Sequence, residues 1–347
     1  MNRVLEEDFL YIAENNVPWD QLDNKTIFIT GGTGFLGSLI IRFIDYLNRK
    51  QNRNIKMVAL VRDEEKASGS IGFKHVTFVE GDMCKLPDIL TDIDFIFHCA
   101  SVTDSKMMIQ KPVEVTNGIV HGTINMMNLA YEKKVKSVVY LSSMEVYGGG
   151  LTSSKVRETE LGTIDIFSPR SCYPMGKRMA ENISFNYHFE YGVPVKIARL
   201  AQTFGAGVSR SDNRVFAQFM NSVLENKNIV LHTKGESDTN CCYTADAVLA
   251  LFVLLLKGEN GEAYNITNEA NHMTIREMAE LVAQEVANGA ISIKIELEEK
   301  NANRYPPPFK LHLSADKLKE LGWAPNFSME QMYSRMIEYV KSVESEK

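Results

Sequence analysis

The sequence has few cysteines, five in 347 residues, and no CxxC pair among them. Cysteine-based structural zinc sites and dithiol redox centres need thiolates paired at short spacing, so neither class is expected. Cys241 and Cys242 are adjacent, and in a strand their side chains point to opposite faces. Free thiols suit a reducing compartment, and the expected location is the cytoplasm. A basic excess is also missing: 38 Lys and Arg stand against 44 Asp and Glu, a net charge of −6. That balance gives no electrostatic footprint for nucleic acid or an anionic membrane. No uncharged apolar run approaches the ~18 residues of a membrane-spanning helix, and the longest, from Ala247 to Leu256, reads as a buried helix. No N-terminal run resembles a signal peptide. His121, Cys172 and His188 have no companions at metal-ligand spacing, so no metal is expected. Internal repeats and low-complexity segments are absent.

What is present is organised around Lys25 to Ser38. Ile27, Phe28 and Ile29 form a short apolar run of the kind found in a buried parallel strand. Thr30-Gly-Gly-Thr-Gly-Phe-Leu-Gly37 follows, then Leu39, Ile40 and Phe43 at helical spacing. Strand, glycine turn and helix in that order make a dinucleotide-binding signal. Gly31 permits the sharp turn, Gly34 leaves room for a pyrophosphate, and Gly37 lets the helix lie close to the sheet. The helix N-terminus directs its free N–H groups at the phosphates.

From residue 25 onward strands and helices alternate, which predicts an α/β protein: a doubly wound parallel (Rossmann) sheet with a smaller C-terminal α/β lobe for substrate. Strands are expected at 57–61, 76–79, 95–97, 137–141 and 195–200, with helices at 113–132 and around Tyr173. Farther on, helices are expected at 217–224, 273–286, 314–321 and 329–340, and extended segments at 229–231 and 291–297. Thr274 and Glu277 have the spacing of a capping box. Residues 1–24 read as a helical extension packed outside the sheet. The dinucleotide-binding domain is expected over 25–203, with about 241–268 returning to it. Residues 204–240 and 269–347 form the second lobe.

Ser143, Tyr173 and Lys177 stand out as a catalytic set. Tyr173 and Lys177, at i and i+4, share one helix face, which brings an ammonium beside a phenol. A phenol with a pKa of about 10 needs a shift of roughly 3 units, or about 4 kcal/mol, to act as a base near neutrality. Lys177 and a cationic nicotinamide are expected to supply it. Ser143 ends a central strand, where open α/β sheets gather their ligands. His98 reads as a structural residue lining the cleft, and Met107, Met108, Met126 and Met127 as packing.

With these residues in place the chain resembles the extended short-chain dehydrogenase/reductase family, the sugar-nucleotide epimerases, dehydratases and decarboxylases. The matching stretches are Thr30 to Gly37, Gly81-Asp82, His98-Cys-Ala-Ser101, Ser142-Ser-Met-Glu-Val-Tyr-Gly148, Tyr173-Pro-Met-Gly-Lys177 and Leu321-Gly-Trp323, in family order over nearly the whole chain. Arg170 to Glu181 and Arg199 to Gly205 look most like UDP-glucuronate decarboxylases. The resemblance implies an enzyme that holds NAD(P) and passes a hydride between it and the sugar of a nucleotide-diphosphate sugar. It implies a catalytic role for Ser143, Tyr173, Lys177 and Glu145. It also implies cofactor contacts from Gly31, Thr33, Gly34, Phe35, Leu36, Gly37, Arg62, Asp63, Asp82, Met83, Ala100, Ser101, Tyr173 and Lys177. Substrate contacts are expected from Thr103, Glu145, Gln202, Thr203, Arg214 and Arg304, the two arginines gripping the diphosphate. Relatives dimerise through the two helices that here carry Ile119, Ile124, Met127, Ile183 and Phe185, so a homodimer is expected.

Two departures bear on the reaction. Met144 stands where the dehydratases place an acidic Asp. Asp238-Thr239-Asn240 replaces the stretch where the family usually has an arginine on phosphate or substrate. These changes favour an epimerase over a decarboxylase-like enzyme, and both over a 4,6-dehydratase-like one, with a net-redox NADPH-dependent reductase as a further alternative. At the end of the second strand, Arg62 with Lys66 suits a 2′-phosphate and Asp63 a 2′-hydroxyl, and NADP is favoured slightly over NAD.

Overall fold

The computed structural model describes residues 2–70, 75–297 and 309–345, with the side chains of 69 and 70 excluded. Its chief element is a seven-stranded, wholly parallel sheet. In chain order the strands are β1 (Thr26–Thr30), β2 (Lys56–Val61), β3 (Val76–Glu80), β4 (Phe95–His98), β5 (Ser137–Ser143), β6 (Val195–Leu200) and β10 (Ala263–Ile266). Across the sheet they run β10-β6-β5-β4-β1-β2-β3. The order reverses between β1 and β4, which opens a crevice above their carboxyl ends.

Period-two alternation sorts the strand residues into two cores. Ile27 and Ile29 face α2 (Phe35–Gln51) and α8 (Thr244–Lys257) in one apolar cluster. Phe28, Val58, Ile96, Val138 and Ile197 face the opposite side, where α5 (Pro112–Glu132) and α6 (Cys172–Tyr191) pack. Both faces being covered explains why these strands read as continuous apolar runs. Helix α8 is apolar all round because the sheet, α2 and α1 (Arg3–Glu14) enclose it.

A second sheet holds β9 (Asp238–Tyr243) between antiparallel β11 (Asn268–Thr274) and parallel β13 (Lys310–Leu311), with β7 (Gln202–Phe204) also paired to β9. A third, of two strands, pairs β8 (Ile229–Leu231) with β12 (Ile293–Ile295). The remaining helices are α3 (Glu64–Ser70), α4 (Ser105–Gln110), α7 (Val215–Leu224), α9 (Ile275–Leu281), α10 (Asp316–Lys319) and α11 (Met329–Ser345). The capping box at Thr274 and Glu277 is formed. The helix it starts is shorter than expected: β11 occupies 268–274 first, and the backbone widens into a π turn over Val282–Val286.

The N-terminal extension is stapled to the C-terminal helix. Arg335 of α11 donates to Asp8 Oδ1 at 2.7 Å, to Glu7 and to the Val4 carbonyl, while Tyr243 donates to Asp8 at 2.8 Å. Tyr11 donates to Asp246, which also accepts the N–H groups of Asn326 and Phe327. Among the described residues no helix is long and apolar enough to cross a membrane, and no group of three or more His, Cys, Asp or Glu could hold a metal ion.

Candidate active site

The glycine turn sits at the sheet's switch point. Gly31 has φ +67°, and a Cβ there would lie 3.0 Å from the Ala100 backbone. A Cβ on Gly37 would lie 2.2 Å from the Gly31 carbonyl, so the first turn of α2 must press directly on the loop. No side chain caps the N-terminus of α2, and the buried Ser101 Oγ has no hydrogen-bond partner. An uncapped helix end, a cradle that a Cβ would fill and an orphan hydroxyl at the mouth of β4 together fit a pyrophosphate-bearing dinucleotide. Thr33, Gly34, Phe35 and Leu36 lie on the same turn. The cradle is braced from below: Thr30 Oγ1 meets His98 Nδ1 at 2.8 Å and accepts the Ala100 N–H at 3.1 Å. Burial pushes His98 down to about 3, so it stays neutral and structural.

Arg62 and Asp63 follow β2 on the surface. Asp63 accepts the Lys66 N–H at 2.9 Å and so caps α3. Asp82 likewise closes its own turn by accepting the Cys84 N–H at 2.7 Å. Met83 packs where a Cβ on Gly122 would be, 3.2 Å away, and its carbonyl accepts from Asn125.

Across the crevice, β5 ends in Ser143, and α6 carries Tyr173 and Lys177 toward it, both buried. Ser143 Oγ accepts the Glu145 N–H at 3.2 Å and lies close enough to the Tyr173 phenol to favour its ionised form. Lys177 Nζ donates to the Leu141 carbonyl at 2.7 Å and lies 4.8 Å from the Tyr140 ring centre. Its distance to the Tyr173 ring centre is 5.8 Å. In this geometry Lys177 is not among the groups that hold the phenol down. Burial pushes Tyr173 up to about 12 and the Glu145 carboxylate adds to the rise, with Ser143, Arg170 and Arg214 opposing. Lys177 is itself brought down to about 8 by burial, against the pull of Glu181 and Cys99.

Glu145 stands in the turn after β5 and is paired with Arg170 at 2.9 Å. Arg170 was legible in the sequence only as part of a family match, and its partnership with Glu145 was not. Beneath them lies a buried scaffold. Arg199 donates to both oxygens of Glu181 at 2.7–3.2 Å, Ser142 donates to Glu181, and Tyr147 binds Asn265 at 2.6 Å. This network ties β5, β6, β10 and α6 together beside Ser143, Tyr173 and Lys177.

Of the substrate-side residues, Gln202 and Thr203 lie on β7, with Thr203 Oγ1 turned to the Ala201 carbonyl. Thr103 is exposed ahead of α4. Arg214 caps the approach to α7, is exposed, and is held by Asp212 at 2.6 Å. Arg304 and the triple proline lie outside the described residues. The two departures meet: Thr239 Oγ1 donates to Met144 Sδ at 3.4 Å.

Residues 27–267 match the model of the NAD dependent epimerase/dehydratase family. The chain belongs to that family. It is 30% identical over 312 residues to UDP-glucuronic acid decarboxylase 3 of Arabidopsis thaliana, covering 89% of this chain and 86% of that one. It is 27% identical to the dTDP-D-glucose 4,6-dehydratase of Mus musculus, covering 91% and 89%. Among solved structures it is similar to the UDP-glucuronic acid 4-epimerase of Bacillus cereus in complex with UDP-glucuronic acid and NAD, with a TM-score of 0.76 at 18% identity, covering 92% and 99%. Membership makes this an NAD-dependent family enzyme on a Rossmann-type fold, and leaves epimerisation, decarboxylation and dehydration all represented among its relatives.

Proposed function

We propose that this enzyme epimerises a nucleotide-diphosphate sugar through a transient keto intermediate, with no net redox change. The observation that carries the reading is the Met144–Thr239 contact, set beside an intact Ser143, Tyr173 and Lys177. A thioether cannot protonate a leaving hydroxyl, and a hydroxyl cannot ion-pair with a carboxylate, so this wall of the site supports neither dehydration nor decarboxylation. Tyr173 is the base for a sugar hydroxyl, and Ser143 holds that hydroxyl against it. Burial makes the free phenol a poor base, so Tyr173 acts once neighbouring positive charge offsets Glu145. Lys177, near 8, lies close enough to neutrality to take part in proton exchange.

Gly31, Gly34, Gly37, Ala100 and Ser101 would hold the dinucleotide, which when bound accepts a hydride from the sugar and returns it. Asp63 is occupied as the cap of α3 while Arg62 and Lys66 lie exposed beside it, which supports a preference for the 2′-phosphate of NADP. Arg214 is the diphosphate contact, released from Asp212 when the anion arrives.

The reading is tested by incubating the purified enzyme with UDP-, dTDP-, GDP- and CDP-sugars deuterated at C4. The expected product is an isomer that keeps its label, formed over many turnovers without added cofactor. Loss of carbon dioxide or of water would assign a decarboxylase or a dehydratase instead. Stoichiometric reduced nicotinamide would make it a dissociating reductase.

A further inference from the structure

Arg170 sits on the short turn Pro169–Ser171 that leads into α6, fixed there by Ser171 Oγ on the Asp165 carbonyl at 2.5 Å. Its Nη2 donates to Glu145 at 2.9 Å. Its Nη1 is buried and has no hydrogen-bond partner. The guanidinium carbon lies 5.8 Å from the Tyr173 ring centre. A buried donor without an acceptor costs about 1–3 kcal/mol, so such an atom in a site calls for an occupant.

We propose that Arg170 is a positioning residue of the reaction: Nη2 holds the Glu145 carboxylate neutralised beside Tyr173, and Nη1 donates to an oxygen of the bound sugar. This rests on the reading of Tyr173 as the base for a sugar hydroxyl. The charged and titratable groups facing Tyr173 are Glu145 from the turn after β5, Tyr140 from β5, Arg170 from its own turn, Arg214 ahead of α7, and Lys177 from α6 itself. Arg214 is already engaged by Asp212, and Lys177 by the Leu141 carbonyl. That leaves Arg170 as the cation directly paired with Glu145, the carboxylate that opposes ionisation of the phenol. Without Arg170, Glu145 would stand as an uncompensated negative charge beside a buried phenol, and phenolate would form only at higher pH. The free Nη1 then adds a contact that the ground-state protein leaves unmade, and the sugar supplies its acceptor.

The experiment compares wild type, Arg170→Gln, Arg170→Lys, and the double variant Arg170→Gln/Glu145→Gln, on whichever of UDP-, dTDP-, GDP- or CDP-glucose the wild type turns over. Thermal melting and NAD(P) binding monitor the fold. Arg170→Gln is expected to lower kcat about 30-fold, raise KM, and move the acid limb of kcat/KM up by about one pH unit, with melting and NAD(P) binding unchanged. Arg170→Lys should recover part of kcat because an ammonium still pairs with Glu145. In the double variant the acid limb should return toward its wild-type position, since the uncompensated charge is gone, while KM stays raised. A merely structural arginine would not show that return. An unmoved limb in Arg170→Gln, or a limb still displaced in the double variant, overturns the proposal while the epimerase reading stands. A wild type that turns over no nucleotide sugar overturns that reading and this inference with it.

Discussion

Met144 and Thr239, which lie 95 residues apart in the chain, meet with the threonine hydroxyl 3.4 Å from the thioether sulfur. One belongs to the turn after β5 and the other to β9, so the contact joins the nucleotide-binding sheet to the second sheet at the candidate active site. A residue that only packs can be replaced by one of like shape, whereas a residue that moves a proton cannot.

Met144→Leu should therefore keep at least about a third of wild-type turnover, as a volume-conserving swap. Tyr173→Phe should fold normally and lose about 1,000-fold or more, since only the acid–base group is removed. Steady-state assays with melting curves check both, and a Tyr173→Phe enzyme retaining about a tenth of its activity would remove Tyr173 from the chemistry.

The glycine turn can be divided into a folding part and a binding part. A methyl on Gly37 would meet the Gly31 carbonyl at 2.2 Å, while one on Gly34 would stand at 3.1 Å from the same oxygen. Gly37→Ala should lower the melting temperature and abolish NAD(P) binding. Gly34→Ala should keep most of its melting temperature and bind NAD(P) more weakly, because its methyl crowds the Gly31 carbonyl within the turn proposed to hold the phosphates. Calorimetric titration beside thermal melting separates the two, and equal effects would refute the division.

Asp246 and Asp8 give stability an unusual pH dependence. Burial pushes Asp246 up to about 7 and Asp8 up to about 6. Both shifts are upward, so the folded state binds the extra proton. Their contribution is fully present below the unfolded carboxylate value of about 4 and is lost as pH rises through 6 to 7. Urea unfolding should thus show stability falling between about pH 4 and pH 7, and Asp246→Asn should flatten most of that slope. A variant as steep as wild type would count against Asp246 as its source.

Lys196 is buried with its ammonium on Ser137 Oγ at 2.7 Å and, farther off, on the Pro194 carbonyl. Burial brings it down to about 8. Here the folded value is depressed for a base, so the penalty is complete below about 8 and fades toward the unfolded value of about 10.4. Lys196→Met should stabilise the protein at pH 7 by about 3 kcal/mol in urea unfolding, with the gain shrinking above pH 8. A destabilised variant at pH 7 would show that the hydrogen bonds outweigh the desolvation.

Of the residues first named for the homodimer, Phe185 is exposed while two others point inward. Ile119 and Met127 are turned into the chain's own core, 4% and 0% exposed. The face that α6 offers outward carries Met175, Met179, Phe185 and Phe189, with Val113 and Tyr131 on α5. This exposed apolar face is the one expected to receive a second copy of the chain. Sedimentation at micromolar concentration should give a dimer, and Phe185→Asp/Phe189→Asp a monomer. A wild-type monomer would end the idea.

Much of the molecule was legible before any coordinates because it is written locally. The glycine turn, the alternating apolar strands and the Tyr173–Lys177 spacing each lie within one element, where period and backbone freedom leave a pattern. Element ends were less legible: a capping box marks where a helix starts but carries no information on the strand before it or the π turn after it. The pairings that shape the chemistry were not legible at all. Arg170 meets Glu145 across 25 residues, Thr239 meets Met144 across 95, and Arg335 meets Asp8 across 327. No periodicity records such contacts, because the order of strands in the sheet brings them together. The same order buries Tyr173 and aims Lys177 at the Leu141 carbonyl, so the sequence by itself determined which groups the site contains, and only the tertiary structure decided which charge stands beside which.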